Sequence, residues 1–234
     1  LFSGEYTYTK GLITQENAPS IEEDLKSDSF SVESVTENEI NRFPPPPFTT
    51  SSLQQEAINR YGLSSKTVMR IAQDLYERGL ITYHRTDSFN LSTSYVFRVK
   101  DFIAKEYGKE YALEKPRAYK TKSASAQEAH EAIRPTKADR TPAEVVKEKK
   151  LSKPQQLIYE LIFNRALATQ MKEAKILQYK IVIMSKKNYE FEAEDQKIIF
   201  DGFLRVLGPE FVKKHLTGTT LKSGTPADLK ELLL

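Results

Sequence analysis

The chain reads as an α+β protein in which a mainly helical, winged-helix-like domain, residues 44–170, interrupts a β-rich domain built from residues 1–43 and 171–234. Three observations predict this. Large and polar residues alternate near both ends of the chain, which is the two-residue period of a strand. Between those ends apolar residues recur every three or four positions, the period of a helix. The run Pro44-Pro45-Pro46-Pro47 divides the first alternating stretch from the first helical one. Four prolines favour an extended, semi-rigid strut that neither element continues through.

The first stretches that alternate are Glu5-Tyr-Thr-Tyr-Thr-Lys10 and Ser29-Phe-Ser-Val-Glu-Ser-Val35. After the prolines, Ser51 with Gln54 can form a capping box. Leu53, Ala57, Ile58 and Tyr61 then give one apolar stripe, and Gly62 stops the helix. Ser64 caps the next helix, where Val68, Ile71, Ala72, Leu75 and Tyr76 repeat at helical spacing, and Gly79 suits the position just past its end. Leu80-Ile81-Thr82-Tyr83 reads as a strand with Tyr83 at its far end. Helix, turn, helix, strand is the order of a winged helix-turn-helix.

Ser92 starts another amphipathic helix, carrying Tyr95, Val96, Val99, Phe102 and Ile103 and ending near Gly108. Residues 113–126 lack periodicity and read as a basic loop with Lys115, Arg117, Tyr119, Lys120 and Lys122. Glu128 to Ile133 reads as a short helix stopped by Pro135. Ser152 and Gln155 are a second capping-box pair, opening a helix with Leu157, Ile158, Leu161, Ile162 and Ala166. Alternation returns in Leu177–Met184 and Tyr189–Glu194, with Lys186-Lys187-Asn188 as the hairpin turn and Ile198-Ile199-Phe200 as a possible third strand. The late strands are expected to pair with the early ones, which makes the helical domain an insertion.

At 234 residues and 39% hydrophobic, the chain can hold one large core or two modest ones. No apolar run approaches the roughly 20 residues that a membrane span needs, and no secretory leader pattern heads the chain. There are no cysteines, which excludes disulfides and thiolate zinc sites and accords with a reducing cytoplasm. The first residue is Leu1 and the last three are leucines, so we expect a piece of a longer protein. The net charge of +3 is unevenly spread. Residues 1–43 hold three basic and nine acidic groups (−6), residues 44–170 hold 21 and 14 (+7), and residues 171–234 hold 11 and 9 (+2). The middle stretch is the place to look for a polyanionic partner. An ordinary solvated surface is the alternative.

The most informative residues are Leu80-Ile-Thr-Tyr-His-Arg-Thr-Asp-Ser88. A tyrosine hydroxyl, with a pKa of about 10, is a poor nucleophile near neutral pH. A nearby cation that stabilises the phenolate, or the oxyanions of its target, changes that. Arg85 lies two residues after Tyr83, and an arginine matches a phosphodiester bidentately. The plain reading of Tyr83 is a strand residue that packs its ring, and of Arg85 a surface ion pair with Asp87. His130, one of three histidines, can hydrogen-bond a phosphate oxygen or move a proton; alternatively it is satisfied on its helix. Glu131 and Arg134 are spaced to pair with each other. His84, adjacent to Tyr83, is expected to face the opposite way and to take no part in chemistry. Asp74, Asp87 and Asp101 are scattered, and there is neither an Asp-x-Asp cluster nor a Gly-rich phosphate loop.

Tyr83-His84-Arg85-Thr86-Asp87-Ser88 closely resembles the Tyr-x-Arg-Thr-Asp-Ser active-site signature of type IA DNA topoisomerases. Gln127-Glu128-Ala129-His130-Glu131-Ala132-Ile133-Arg134-Pro135-Thr136 is similar to a second signature of that family, in the same order. Thr49–Gln55 resembles a third stretch, and Asp201-Gly202-Phe203 a turn common at this place. The resemblance covers about residues 44–215, with the first 43 matching loosely. His84 departs from the family, which often has an apolar residue there.

The resemblance implies a β-rich arch, or hinge, domain carrying the tyrosine domain as an insert. It makes Tyr83 the nucleophile, with Arg85 and His130 completing the catalytic set. It places Thr50, Ser51 and Gln54, together with Thr82, Thr86, Asp87, Ser88 and Arg134, against a single DNA strand; for the first group, plain helix capping is an equal reading. It implies magnesium in the intact enzyme, held by an N-terminal domain outside this chain, with no metal bound by this chain itself. The expected protein is a bacterial, cytoplasmic, ATP-independent, monomeric enzyme with no membrane partner. It relaxes negatively supercoiled DNA by transient cleavage of one strand. Reverse gyrase shares the tyrosine domain, but no helicase segment supports that subfamily. The runner-up is a winged-helix DNA-binding module without catalysis, and the third reading is a structural hinge domain.

Overall fold

The structure is a computed structural model that describes residues 7–8, 13–119, 130–208 and 223–227. The chain forms two compact units, one of Leu1–Arg42, Lys175–Phe200 and Val212–Leu234, the other of Phe43–Ala174 and Asp201–Phe211.

The first unit is a sheet with one helix on it. Its elements are β1 (Thr7–Tyr8), α1 (Ala18–Lys26), β2 (Phe30–Arg42), β3 (Ala174–Ser185), β4 (Glu190–Phe200) and β5 (Pro226–Ala227). The strand order is β1-β4-β3-β2-β5, so late strands lie among early ones. β3 and β4 are an antiparallel hairpin with Ile181 opposite Ala193. Asn188 in its turn has φ 66°, a left-handed conformation that asparagine tolerates. The strand period decides the core. Tyr179, Ile181 and Ile183 on β3 pack with Phe191, Val32 and Leu25 of α1. Residues 198–200, a possible third strand by sequence, continue β4 without a break. α1 has no counterpart in the sequence expectation, although Asn17 followed by a proline in the first turn is a recognisable helix start. Of the expected strand at 5–10, Thr7 and Tyr8 are described and pair with β4.

The second unit is helical: α2 (Thr50–Tyr61), α3 (Ser65–Glu77), α4 (Thr93–Glu106), α5 (Pro142–Lys149), α6 (Lys153–Ala168) and the single turn α7 (Leu204–Leu207). Its core joins Leu53 and Ala57 of α2, Val68, Ile71, Ala72 and Leu75 of α3, Val145 of α5, and Ile158, Leu161 and Ile162 of α6. Gly62 ends α2 at φ 64°, and Ser64 caps α3 by accepting from the Thr67 amide. The Gln155 side chain accepts from the Ser152 amide at 2.7 Å as α6 begins. On α4 the five expected apolar residues are all buried, and Phe102 meets Phe163 of α6 edge to face at 5.9 Å.

Several elements differ from the sequence expectation. α2 is capped by Thr49, boxed with Ser52, and not by Ser51 with Gln54. Ile58 and Tyr76 lie at the rims of their stripes and are 41% and 40% exposed. Leu80–Tyr83 is no strand; it makes one bridge, Ile81 opposite Pro135. Residues 130–133 are extended and not helical, with Ile133 bridging Phe48. The earlier part of that expected helix, Glu128 and Ala129, lies outside the described residues, as do Lys120 and Lys122 of the basic loop. Residues 171–174 and 201–211, expected with the strands, belong to the helical unit. The reason is a local tie: the Lys172 amide donates to the Tyr111 carbonyl, and the Phe203 amide donates to the Lys172 carbonyl. Gly202, at φ 49°, sits where a Cβ would come within 2.4 Å of the Glu173 carbonyl oxygen, so no other residue fits that crossing.

Candidate active site

α3 ends at Glu77 with Arg78 as its C-cap, and Gly79 at φ 67° turns the chain away from the helix. Leu80 and Ile81 plug into the helical core. The next residue, Thr82, is held on three sides. Its amide donates to the Arg134 carbonyl at 2.9 Å, its hydroxyl donates to the Ala132 carbonyl at 2.7 Å, and the Arg134 amide donates to that hydroxyl at 2.9 Å. The stretch around Tyr83 and the stretch after His130 therefore lie side by side.

From Tyr83 to Ser88 burial alternates strictly. Tyr83, Arg85 and Asp87 are exposed, while His84, Thr86 and Ser88 are buried. No sheet imposes this period. Polar side chains do it instead. The Thr50 hydroxyl donates to the His84 carbonyl at 2.8 Å and accepts from the Thr86 amide at 2.9 Å, and the Thr50 amide donates to the Thr86 carbonyl. Thr86 Oγ1 then accepts from the Ser88 amide, and Ser88 Oγ accepts from the Asn90 amide. The Asn90 carbonyl accepts from the Ala132 amide at 2.8 Å, closing the circuit to the second motif. One phenol, one guanidinium and one carboxylate are thus turned outward on a backbone fixed from behind, the arrangement that preorganised chemistry on an external strand requires.

The remaining expected site residues divide by environment. Arg134 is 8% exposed. Its guanidinium pairs with Glu131 at 2.5 Å, donates to the Pro135 carbonyl and to Ser92 Oγ, and lies 4.2 Å over the Tyr95 ring. It is a clamp inside the unit. Burial raises the Glu131 carboxyl, but the Ser92 hydrogen bonds and the Arg134 charge outweigh it and leave the group below the usual carboxylate range. Burial also pushes the Tyr95 hydroxyl far up. Thr82, Thr86 and Ser88 spend their hydroxyls on the loop, as does Thr50. Ser51 is exposed at the start of α2, and Gln54 is half-buried one turn later. His130 is exposed at the edge of the described residues, two positions before Ala132.

Two features escaped the sequence reading. Thr50 is the hub of the tyrosine loop, a role that depends on residues 34 and 36 positions away. Tyr76 lies against Tyr83 with ring centres 5.3 Å apart; its place at the rim of the α3 stripe is the one sequence signal for it. Among the described residues no helix is long and apolar enough to cross a membrane. No group of three or more His, Asp or Glu among them is placed to hold a metal ion.

A family model described as DNA topoisomerase matches residues 3–233. DNA topoisomerase 1 of Rickettsia felis is 39% identical over 95% of this chain and 30% of its own length. DNA topoisomerase 1 of Helicobacter pylori is 37% identical over 99% of this chain and 32% of its own length. The crystal structure of full-length topoisomerase I from Thermotoga maritima superimposes with a TM-score of 0.77 at 31% identity, covering 94% of this chain and 36% of that one. The chain spans about a third of the length of the curated relatives it matches. A match over nearly the whole sequence, relatives above 30% identity and a shared fold agree with the two motifs that meet at Thr82, and the chain belongs to the type IA DNA topoisomerase family.

Proposed function

We propose that this chain carries the nucleophile of a DNA topoisomerase that cuts and reseals one strand. The observation that supports it best is the outward row of Tyr83, Arg85 and Asp87, held from behind by Thr50 and by the second motif. The Tyr83 oxygen attacks the phosphorus of a phosphodiester in single-stranded DNA. The new bond joins tyrosine to the 5′-phosphate, the bond to the 3′-oxygen breaks, and the phenol proton is balanced by the one the 3′-oxygen takes up. Arg85 faces the equatorial oxygens as charge builds on them. His130, exposed close to the same stretch, hydrogen-bonds a phosphate oxygen or relays the proton. Reverse attack by the 3′-hydroxyl reseals the strand after another has passed. The bond energy is kept in the phosphotyrosine, so ATP is not consumed.

Among the expected DNA contacts, Ser51, whose hydroxyl also meets Thr49 Oγ1 at 3.2 Å, and Gln54 stand near the start of α2, where a phosphate would be favoured. Thr50, Thr82, Thr86, Ser88 and Arg134 act by building the loop. Asp87 contributes to the outward row. Magnesium, expected from the resemblance, falls to a domain outside this chain, and the steps above use this chain's residues alone. We take the intact protein to be a cytoplasmic monomer relaxing negatively supercoiled DNA.

The test incubates the chain with a labelled single-stranded oligonucleotide, with and without the N-terminal metal-binding domain and magnesium, and denatures the mixture. A covalent adduct that needs the added domain and disappears in Tyr83→Phe is expected. Salt-dependent binding with no adduct in any mixture would instead favour the winged-helix DNA-binding reading.

A further inference from the structure

Tyr83 is 41% exposed. It is nevertheless seated. Tyr76 meets it edge to face at 5.3 Å and 65°, His84 meets it at 5.3 Å and 69°, and Tyr76 and His84 lie 5.9 Å apart. The three rings form a closed triangle at the end of α3. Resting on the reading of Tyr83 as nucleophile, we propose that Tyr76 and His84 are positioning residues that orient the Tyr83 ring for attack.

The two seats are unlike. Tyr76 follows Leu75, which is fully buried, so its backbone is fixed to the core while Tyr76 itself is 40% exposed. At that rim its ring meets those of Tyr83 and His84. His84 is 1% exposed, with neither ring nitrogen hydrogen-bonded. Burying an imidazole that way is costly; an aliphatic side chain would fill the space without orphaned polar atoms. What the imidazole supplies here is a flat ring against two others. Burial, with the Arg85 charge adding to it and Glu77 opposing, keeps the group below its usual pKa and hence neutral near pH 7. A neutral ring stacks without placing a second cation under Arg85.

The need for a seat follows from the reaction. The phenol oxygen must approach phosphorus in line, and an exposed tyrosine on an irregular loop samples several rotamers. Each edge-to-face contact biases that distribution about two- to tenfold.

The experiment measures the rate of adduct formation and single-strand affinity for the chain supplied with the metal-binding domain. Tyr76→Ala is expected to slow adduct formation about five- to tenfold with affinity within about twofold, and Tyr76→Phe, which keeps the ring, to restore the rate. In the chain alone, Tyr76→Ala should also remove the ring-current shift of the Tyr83 proton resonances, a readout independent of activity. A wild-type rate in Tyr76→Ala, with the adduct still abolished by Tyr83→Phe, overturns the positioning role and leaves the proposed function standing. Equal losses of rate and affinity overturn it too, since Tyr76 would then be a DNA contact. An adduct that survives Tyr83→Phe overturns the functional reading itself.

Discussion

Arg134 occupies the middle of the second motif, yet its guanidinium is committed to Glu131, Ser92, the Pro135 carbonyl and the Tyr95 ring. Arg134→Ala should therefore read as a stability variant. Loss of a largely buried, hydrogen-bonded charge is expected to cost about 2–4 kcal/mol, seen as a lower urea midpoint with an unchanged slope. His84 gives a second residue-level expectation. Its folded pKa is depressed, so the unfolded chain takes a proton first as pH falls through about 6.5 while the folded chain does not. Stability from this group is complete above that pH and declines below it. Urea midpoints at about pH 7.5 and 5.5 should differ more for the wild type than for His84→Leu. The opposite facing of Tyr83 and His84 was legible from the two-residue period of an extended chain; the burial of Thr86 and Ser88 was not, because it depends on Thr50. The clamp role of Arg134 was legible only as an i,i+3 pair with Glu131, because Ser92 and Tyr95 come from a different segment.

Among the elements, the helices were the most readable because their apolar spacing and caps are local: Ser64, Gly62 and the Ser152–Gln155 pair stand where the sequence puts them. Residues 80–83 and 130–133 were not readable. Each is a stretch of four residues whose hydrogen bonds come from distant partners (Thr82 to Arg134, Ala132 to Asn90, Ile133 to Phe48), and so short a stretch has no period of its own to distinguish bridge, strand or helix. The link between α2 and the tyrosine loop can be tested at Thr50. Thr50→Val keeps the shape but strands the His84 carbonyl and the Thr86 amide, for an expected loss of about 1–3 kcal/mol. Adduct formation should fall with single-strand affinity retained. A drop in affinity alone would mark Thr50 as a DNA contact.

Over the whole molecule, charge is the property that speaks to a nucleic-acid partner. The +7 carried by residues 44–170 coincides closely with the helical unit, while the −6 of residues 1–43 falls in the sheet unit. Binding of a single-stranded oligonucleotide should weaken with salt, with a log–log slope of about −2 to −4 for three to five phosphate contacts. A hinge domain without DNA contacts gives a flat line. Periodicity and the four prolines point to a boundary near residue 43, where the first unit's opening segment ends at Arg42. The crossing at Gly202 was not readable, because it depends on a carbonyl of Glu173 nearly thirty residues earlier.

The alternation from Tyr83 to Ser88 carries a consequence for chain length. Its in–out order is set by anchors at both ends, Thr82 before it and Ser88 after it. Deleting or inserting one residue between those anchors reverses the order for part of the stretch, swinging Arg85 toward the core and a buried neighbour toward solvent. Point changes at Tyr83 or Arg85 remove one function each, whereas a single-codon change in length removes the whole outward row while leaving every named side chain in the sequence. Tolerance to insertion here should be near zero, although the segment is a surface loop.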